Sequence, residues 1–148
     1  MKGIVNISEA ASLAFHAMAV LASDTGGRFT ASEIAGTISS SEAHLSKVMR
    51  RLVRSGLVES SRGPGGGFSL ARAPRKIRLL EIYEAIEGPF RESDCLMDDP
   101  CCRANRCIMS ELIGAINSEA REYLRSKDLG QYSDSCRLGR VSSGEGRG

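Results

Sequence analysis

The first third of the chain alternates helical hydrophobic patterns with short polar breaks. Over residues 7–22, apolar side chains recur three, four and seven positions apart, which predicts an amphipathic helix. Thr30 has a glutamate three residues later, the capping-box spacing, and this predicts the start of a second, short helix. A serine run then interrupts the pattern, and Ser40 or Ser41 can cap a third helix over about 41–55.

The third helix has one apolar face and one basic face. Its apolar face carries Leu45, Val48, Met49 and Leu52. Its opposite face carries Ala43, His44, Lys47, Arg50, Arg51 and Arg54. A short helix, a turn and a second helix with a basic outer face form the helix-turn-helix pattern of DNA-binding proteins.

Two short strand-like runs follow, Leu57–Ser61 and Phe68–Ala71, on either side of a glycine-rich segment at 62–67. This order predicts a β-hairpin that forms a wing beside the helix-turn-helix. A phosphate-binding loop is the alternative interpretation of such glycines. The segment lacks a Gly-Lys-Ser/Thr sequence and no helix follows it directly, so the wing is favoured.

The second half of the chain holds two more helices. A helical pattern over 77–87 stops at Gly88–Pro89, and a long amphipathic pattern covers 107–125. The apolar face of the long helix is wide, which favours a dimer interface, although packing on its own domain is the alternative.

We therefore predict a mainly α fold with a small β-hairpin wing, in which a winged helix-turn-helix precedes a long C-terminal dimerisation helix. The expected parts are a DNA-binding domain (1–88), a cysteine-bearing cluster loop (89–106), the dimerisation helix (107–126) and a disordered tail (127–148).

Composition and charge narrow the function. The 148 residues contain no Trp and only 5% aromatic residues, which disfavours a stacking platform for single-stranded nucleic acid. No apolar run is long enough for a membrane helix and the N-terminus lacks signal-peptide character, so we expect a cytoplasmic protein. Residues 44–78 carry nine basic groups against one acid, which suggests a polyanionic partner, although a merely solvated basic surface is the alternative.

Four of the five cysteines lie within thirteen residues, at Cys95, Cys101, Cys102 and Cys107, and Cys136 lies in the tail. Clustered cysteines in a reducing compartment are more often metal ligands or redox thiols than disulfides. Three thiolates spaced six residues apart suit a soft metal centre such as an iron–sulfur cluster, which needs a fourth ligand. The candidates for that ligand are Ser110, Glu111, Glu9, Ser12, His16 and Cys102. A purely structural or reactive thiol cluster is the alternative.

The residues expected to contact DNA lie on the third helix and the wing. The helix offers Ser41, His44 and Lys47 near its N-terminal half, where side chains reach base edges, and Arg50 and Arg51 further along for phosphates. The wing offers Arg62 for a minor groove and Gly65 for close backbone approach. Taken singly, His44 or Lys47 could be an ordinary surface residue.

These motifs resemble the Rrf2 family of bacterial regulators, which includes IscR, NsrR and RirA. The resemblance rests on Arg-Ser-Gly-Leu-Val at 54–58, on Arg-Gly-Pro-Gly-Gly-Gly-Phe at 62–68 and on the three-cysteine spacing. It implies a homodimeric winged helix-turn-helix transcription factor that binds a palindromic operator in double-stranded DNA. It also implies a 2Fe-2S or 4Fe-4S cluster held by Cys95, Cys101 and Cys107, whose loss or redox change alters DNA affinity.

The chain departs from the family pattern at three positions. IscR-like members carry a histidine ligand where this chain has Ser110, and other members place an Asp ligand where it has Ser12. Ser46 stands where IscR-like proteins carry a glutamate that tunes base choice. The fourth ligand, the cluster type and the operator sequence therefore stay open.

Other classes of function explain less of the sequence. A thiol redox enzyme lacks a Cys-x-x-Cys motif near a βαβ unit and leaves the basic helix and wing unexplained. A winged helix that binds protein would lack the steep salt dependence of DNA binding. A regulator that uses the cysteines as a thiol switch or a zinc site, without a cluster, is the main alternative.

Overall fold

The computed structural model describes residues 5–93, 95, 97, 103, 105 and 107–134 of the chain. Helices and one hairpin account for most of these residues. The helices are α1 (Glu9–Ser23), α2 (Ala31–Thr37), α3 (Glu42–Arg54), α4 (Leu79–Glu87) and α5 (Ser110–Ser126), and the strands are β1 (Val58–Ser61) and β2 (Gly67–Leu70). Two short 3₁₀ turns lie at Pro74–Lys76 and Leu129–Tyr132. The predicted mainly α fold with a hairpin wing is confirmed.

The start of α2 and both ends of α3 are formed by residues that the sequence predicts, whereas α1 begins at Glu9 rather than at 7. The Thr30 side chain accepts from the Glu33 amide, and the Glu33 carboxylate accepts from the Thr30 amide, which completes the capping box. The Ser41 hydroxyl accepts from the His44 amide at 3.2 Å and caps α3. Gly56, at φ +78°, takes the left-handed conformation that ends α3.

The wing is an antiparallel hairpin with Val58 opposite Leu70 and Ser61 opposite Gly67. Phe29, just before α2, pairs with Phe68 of β2 through two backbone hydrogen bonds. This isolated antiparallel bridge places Phe29 beside the hairpin like a very short third strand. Gly67 makes this approach possible, because a Cβ there would lie 2.7 Å from the Phe29 carbonyl oxygen. The wing is thereby fixed to the start of the helix-turn-helix.

One hydrophobic core joins α1, α3, α4 and the base of the wing. Its fully buried side chains include Met18 and Leu21 of α1, Leu45 and Leu52 of α3, and Ile82 of α4. The buried small residues of α1, Ala11, Ala14 and Ala17, let the neighbouring helices pack closely. Helix α3 therefore packs against the core along its whole apolar face.

The start of the predicted disordered tail is ordered, so that prediction is wrong for residues 127–134. Leu129 is buried, its amide donates to the Ile77 carbonyl at 2.9 Å, and the Leu79 amide donates to the Lys127 carbonyl at 3.0 Å. One apolar anchor and this backbone pairing hold a segment whose average composition is polar. Residues 135–148, with Cys136, lie outside the described residues.

The last helix begins at Ser110 rather than at 107, because residues 107–109 form a turn closed by the Ser110 amide on the Cys107 carbonyl. Within the described ranges, no helix is long and apolar enough to cross a bilayer.

Candidate DNA-binding surface and cysteine loop

The candidate DNA-contact surface is the outer face of α3. The apolar face is buried, and the basic side chains at Lys47, Arg50, Arg51 and Arg54 are exposed on the opposite side. Their amphipathic arrangement follows from the 3.6-residue helical period, which turns the four basic residues away from the core. The structure thus brings together the cations that the sequence predicts for DNA contact.

The N-terminal end of α3 has the predicted serine cap and one contact that the sequence did not indicate. The Ser41 hydroxyl caps α3 by accepting from the His44 amide, and it keeps its own O–H as a donor. His44 lies half-exposed, with Nδ1 3.5 Å from a carboxylate oxygen of Glu9 at the start of α1. The sequence did not indicate this pairing, because the two residues are far apart in the chain.

The wing presents its tip as predicted. Arg62 and Gly65 are exposed, and Gly63 and Gly65 both have positive φ, at +84° and +72°. Gly66 allows the chain to turn, since a Cβ there would lie 2.6 Å from the Ser61 carbonyl. Arg28, which sequence reasoning missed, donates to the Ser61 hydroxyl at 2.7 Å and adds a cation beside the tip of the wing.

Two of the three predicted cluster ligands fall on described residues. Cys95 and Cys107 are free, half-buried thiols, whereas Cys101 and the neighbouring Cys102 lie outside the described residues. The Met97 amide donates to Cys95 Sγ and the Met109 amide to Cys107 Sγ, each at 3.4 Å. Both sulfur atoms therefore have a backbone N–H group directed at them. In the described ranges, no three His, Cys, Asp or Glu side chains lie together as a metal site.

The candidates for a fourth ligand lie on different elements. The Ser110 hydroxyl donates to the Cys107 carbonyl at 3.0 Å, and Glu111 is exposed in the first turn of α5. On α1, His16 Nδ1 lies 2.7 Å from the Ser12 carbonyl oxygen, while Glu9 lies beside α3. Within the described part of one chain, these side chains are not gathered around the two thiols.

The segment before Cys95 is attached to α5. Asn117, which is 2% exposed, donates from Nδ2 to the Ser93 carbonyl at 3.0 Å, and Arg121 pairs with Glu92 at 3.1 Å. Ser93 in turn bonds the Cys95 backbone through its hydroxyl. Sequence reasoning missed Asn117, although a polar residue within the apolar stripe of an amphipathic helix is a signal that could have found it.

An apolar groove lies between α1 and α5. It encloses about 940 Å³ and is lined by residues of both helices, of the N-terminal segment and of the turn at Leu129–Tyr132. Ile116 and Tyr123 of α5 are partly exposed along it. At one end the Tyr123 and Tyr132 hydroxyls are 2.8 Å apart, and this hydrogen bond, with partial burial and nearby negative charge, raises the pKa of Tyr132.

The sequence matches one family over most of its length. The Rrf2 family, described as iron-dependent transcriptional regulators, matches residues 7–134. The chain is 31% identical to an HTH-type transcriptional regulator of Aquifex aeolicus over 82% of this chain and 89% of that protein. It is 42% identical to the regulator BadM of Rhodopseudomonas palustris, and there the match spans 49% of this chain and 46%, about half, of BadM.

A further relative and a solved structure agree with this match. The chain is 34% identical to NsrR of Bacillus subtilis over 65% of both proteins. The fold superposes on CymR, the global cysteine regulator of B. subtilis, with a TM-score of 0.75 at 29% identity, covering 89% of this chain and 98% of CymR. With this match over residues 7–134, and with the winged helix and the basic face of α3 in place, the chain belongs to the Rrf2 family of transcriptional regulators.

Proposed function

We propose that the protein is a dimeric DNA-binding regulator whose operator affinity is controlled by an iron–sulfur cluster on the cysteine loop. The observation that carries the DNA-binding part is the exposed basic face of α3 beside a glycine-tipped wing. Its named relatives are transcriptional regulators rather than enzymes.

The DNA-contacting residues divide into two roles. Ser41, His44 and Lys47 lie at the N-terminal half of α3, the part of a recognition helix that reaches base edges in the major groove. Arg50 and Arg51 lie further along and would contact phosphates. On the wing, Arg62 would enter a narrow minor groove, with Gly65 allowing the backbone to come close.

The groove between α1 and α5, which Ile116 lines, and the exposed apolar residues near the start of α5 support homodimerisation. Ile108, Leu112 and Ile116 of the C-terminal region are exposed in the single chain, and a second copy would remove them from water. A two-fold dimer would place two recognition helices on a palindromic duplex, one for each half-site.

The cysteine loop supports a soft metal group. Cys95 and Cys107 present free thiols that accept backbone N–H groups, and this donor chemistry fits a 2Fe-2S or 4Fe-4S cluster held with Cys101. When bound, the cluster would supply iron that responds to redox change, nitric oxide or iron supply. The loop joins the DNA-binding half to α5, so a change in its conformation can alter the angle between the two recognition helices.

The first test is a spectrum with iron and sulfide analysis of protein purified without oxygen. We expect coloured protein with about stoichiometric sulfide, and loss of both on replacing Cys95, Cys101 or Cys107 by alanine. In parallel, affinity for duplex DNA selected from random sequence should fall steeply with salt. Colourless protein without iron and sulfide after attempted reconstitution would contradict the cluster, and salt-independent binding would contradict DNA recognition.

A cluster-free thiol switch or zinc site is the second candidate, favoured by the structural likeness to CymR, a cysteine regulator. Colourless protein that binds zinc, or whose DNA affinity changes when its thiols are oxidised, would support this candidate.

A further inference from the structure

Asn117 is the one buried polar side chain found among the described residues, and it lies in an apolar stripe. On α5 it is four residues after Ile113 and seven before Leu124, both of which are buried in the protein. A buried side-chain amide lowers the stability of the fold unless it forms hydrogen bonds. Its Nδ2 donates to the Ser93 carbonyl at 3.0 Å.

Ser93 passes this attachment on to Cys95. Its hydroxyl donates to the Cys95 carbonyl at 2.9 Å and accepts from the Cys95 amide at 3.2 Å. Cys95 Sγ accepts from the Met97 amide at 3.4 Å. Two sets of hydrogen bonds, joined through Ser93 itself, therefore link a buried position of α5 to the backbone of Cys95, while the thiol accepts separately from the Met97 amide.

A neighbouring ion pair joins the same two segments, but its side chains are partly exposed to water rather than buried in the protein interior. Arg121, one helical turn after Asn117, pairs with Glu92, and both side chains are about half exposed. Water screens such a pair, so it contributes less than the buried amide. Asn117 is thus the principal attachment of the segment before Cys95 to α5.

We propose that Asn117 is the positioning residue that holds Cys95 through Ser93 and that transmits changes at Cys95 to α5. The positioning part stands on the contacts themselves, whereas the transmission part rests on the proposed sensing function. Asn117 acts on Cys95 through the backbone of Ser93, which makes it a positioning residue.

The positioning part is tested on full-length, reduced, metal-free protein with Asn117→Leu, which removes the donor but keeps an apolar side chain of similar size. The readout is the alkylation rate of Cys95 by iodoacetamide, measured by peptide mass spectrometry with Cys107 as the internal reference. We expect Cys95 to react about fivefold faster, the change in population that one ordinary hydrogen bond sustains. Ser118→Ala, an exposed neighbour on α5, should leave both rates unchanged.

A second pair of variants follows the path through Ser93 without touching the helix. Ser93→Ala should also speed alkylation of Cys95, and Ser93→Thr, which keeps the hydroxyl, should restore the wild-type rate. Unchanged Cys95 rates in both Asn117→Leu and Ser93→Ala, or an equal rise at Cys107, would overturn the proposal, because either result shows no specific hold on Cys95.

The transmission part is tested by the ratio of DNA affinities of the cluster-containing and cluster-free protein. Asn117→Leu should bring this ratio about fivefold closer to one, while Ser118→Ala keeps it. A wild-type ratio retained in Asn117→Leu would overturn transmission alone. A wild-type ratio of one would contradict the sensing function and transmission with it, and the alkylation rates would still decide the positioning of Cys95.

Discussion

Helix α3 and the segment before Cys95 are held in place to very different degrees. Four buried side chains, an N-cap and a left-handed glycine fix α3. The segment before Cys95 is attached by one buried amide, one exposed ion pair and a serine turn. Displacing α3 from the core would cost several kcal/mol. Detaching the segment before Cys95 from α5 would cost only about 1–2 kcal/mol. The difference suits a rigid DNA-reading part and a part that responds to a signal.

The largest expected effect concerns the rigid part. Leu45→Ala should lower the free energy of unfolding by about 2–5 kcal/mol, because it leaves a cavity under α3. The measurement is urea unfolding followed by circular dichroism. Arg54→Ala, exposed on the same helix, should change stability by less than about 0.5 kcal/mol. A loss below about 1 kcal/mol for Leu45→Ala would show that core packing does not hold α3 firmly in place.

The next effect concerns the apolar groove beside α5. Ile116→Asp should weaken dimerisation at least about a hundredfold, since burying an unpaired carboxylate costs several kcal/mol. Analytical ultracentrifugation over a range of concentrations measures it. Ser118→Asp adds the same charge to α5 outside the groove and should leave association unchanged. Equal dimerisation constants for the two variants would show that the dimer interface does not include the groove.

A third effect separates phosphate contact from base contact on α3. Lys47→Ala should lower the slope of log affinity against log salt by about 0.9 if Lys47 neutralises one phosphate. If Lys47 instead contacts a base, Lys47→Ala should lower the preference for that base at one operator position by about 1–3 kcal/mol. Lys76→Ala, exposed on the 3₁₀ turn before α4, is the matched control. Unaltered DNA binding by Lys47→Ala would remove this residue from the interface.

A smaller effect is expected at the start of α3. Ser41→Ala should destabilise the protein by about 1 kcal/mol, because the cap on the His44 amide is lost. Ser41→Asn retains the cap and should keep the stability. Thermal unfolding gives both values, and DNA binding by Ser41→Asn then shows whether the hydroxyl also reads the operator. Full stability of Ser41→Ala would refute the capping role.

The smallest effect depends on pH. Partial burial raises the pKa of Glu81, but hydrogen bonds from Arg72 and the Arg78 amide and the two guanidinium charges outweigh it, leaving this pKa below 4.5. Ionised Glu81 therefore stabilises the fold above its unfolded-state pKa, and the stabilisation is lost as pH falls through the folded-state value. Because Glu81 is 39% exposed, Glu81→Gln should cost at most about 1 kcal/mol at pH 7.

The pH series itself is the check. The stability difference between wild type and Glu81→Gln should shrink towards zero as the pH falls below about 4. A difference that stays constant from pH 7 to pH 3 would show that the carboxylate charge has no part in it.

Features that depend on neighbouring residues were predictable from the sequence. The capping box at Thr30, the cap at Ser41 and the glycine stop at Gly56 each involve groups within a few positions, and all three are present. The alternation of apolar and basic positions likewise predicted which face of α3 is exposed.

Features that depend on tertiary contact were not predictable. Glu9 meets His44, and Asn117 meets Ser93 across 24 positions, so no local pattern reveals either pair. The order of the segment at Leu129 comes from one buried side chain and its pairing with Ile77, which average composition conceals. The roles of the cysteines stay predictions, because Cys101 lies outside the described residues.

The most direct test of the central claim is the affinity of one protein preparation for one selected duplex, at fixed salt, before and after anaerobic removal of the cluster. We expect at least about a tenfold change in Kd, a coupling of about 1.4 kcal/mol, and no such change in Cys95→Ala. Equal Kd values for the two forms would contradict control of DNA binding by the cysteine loop.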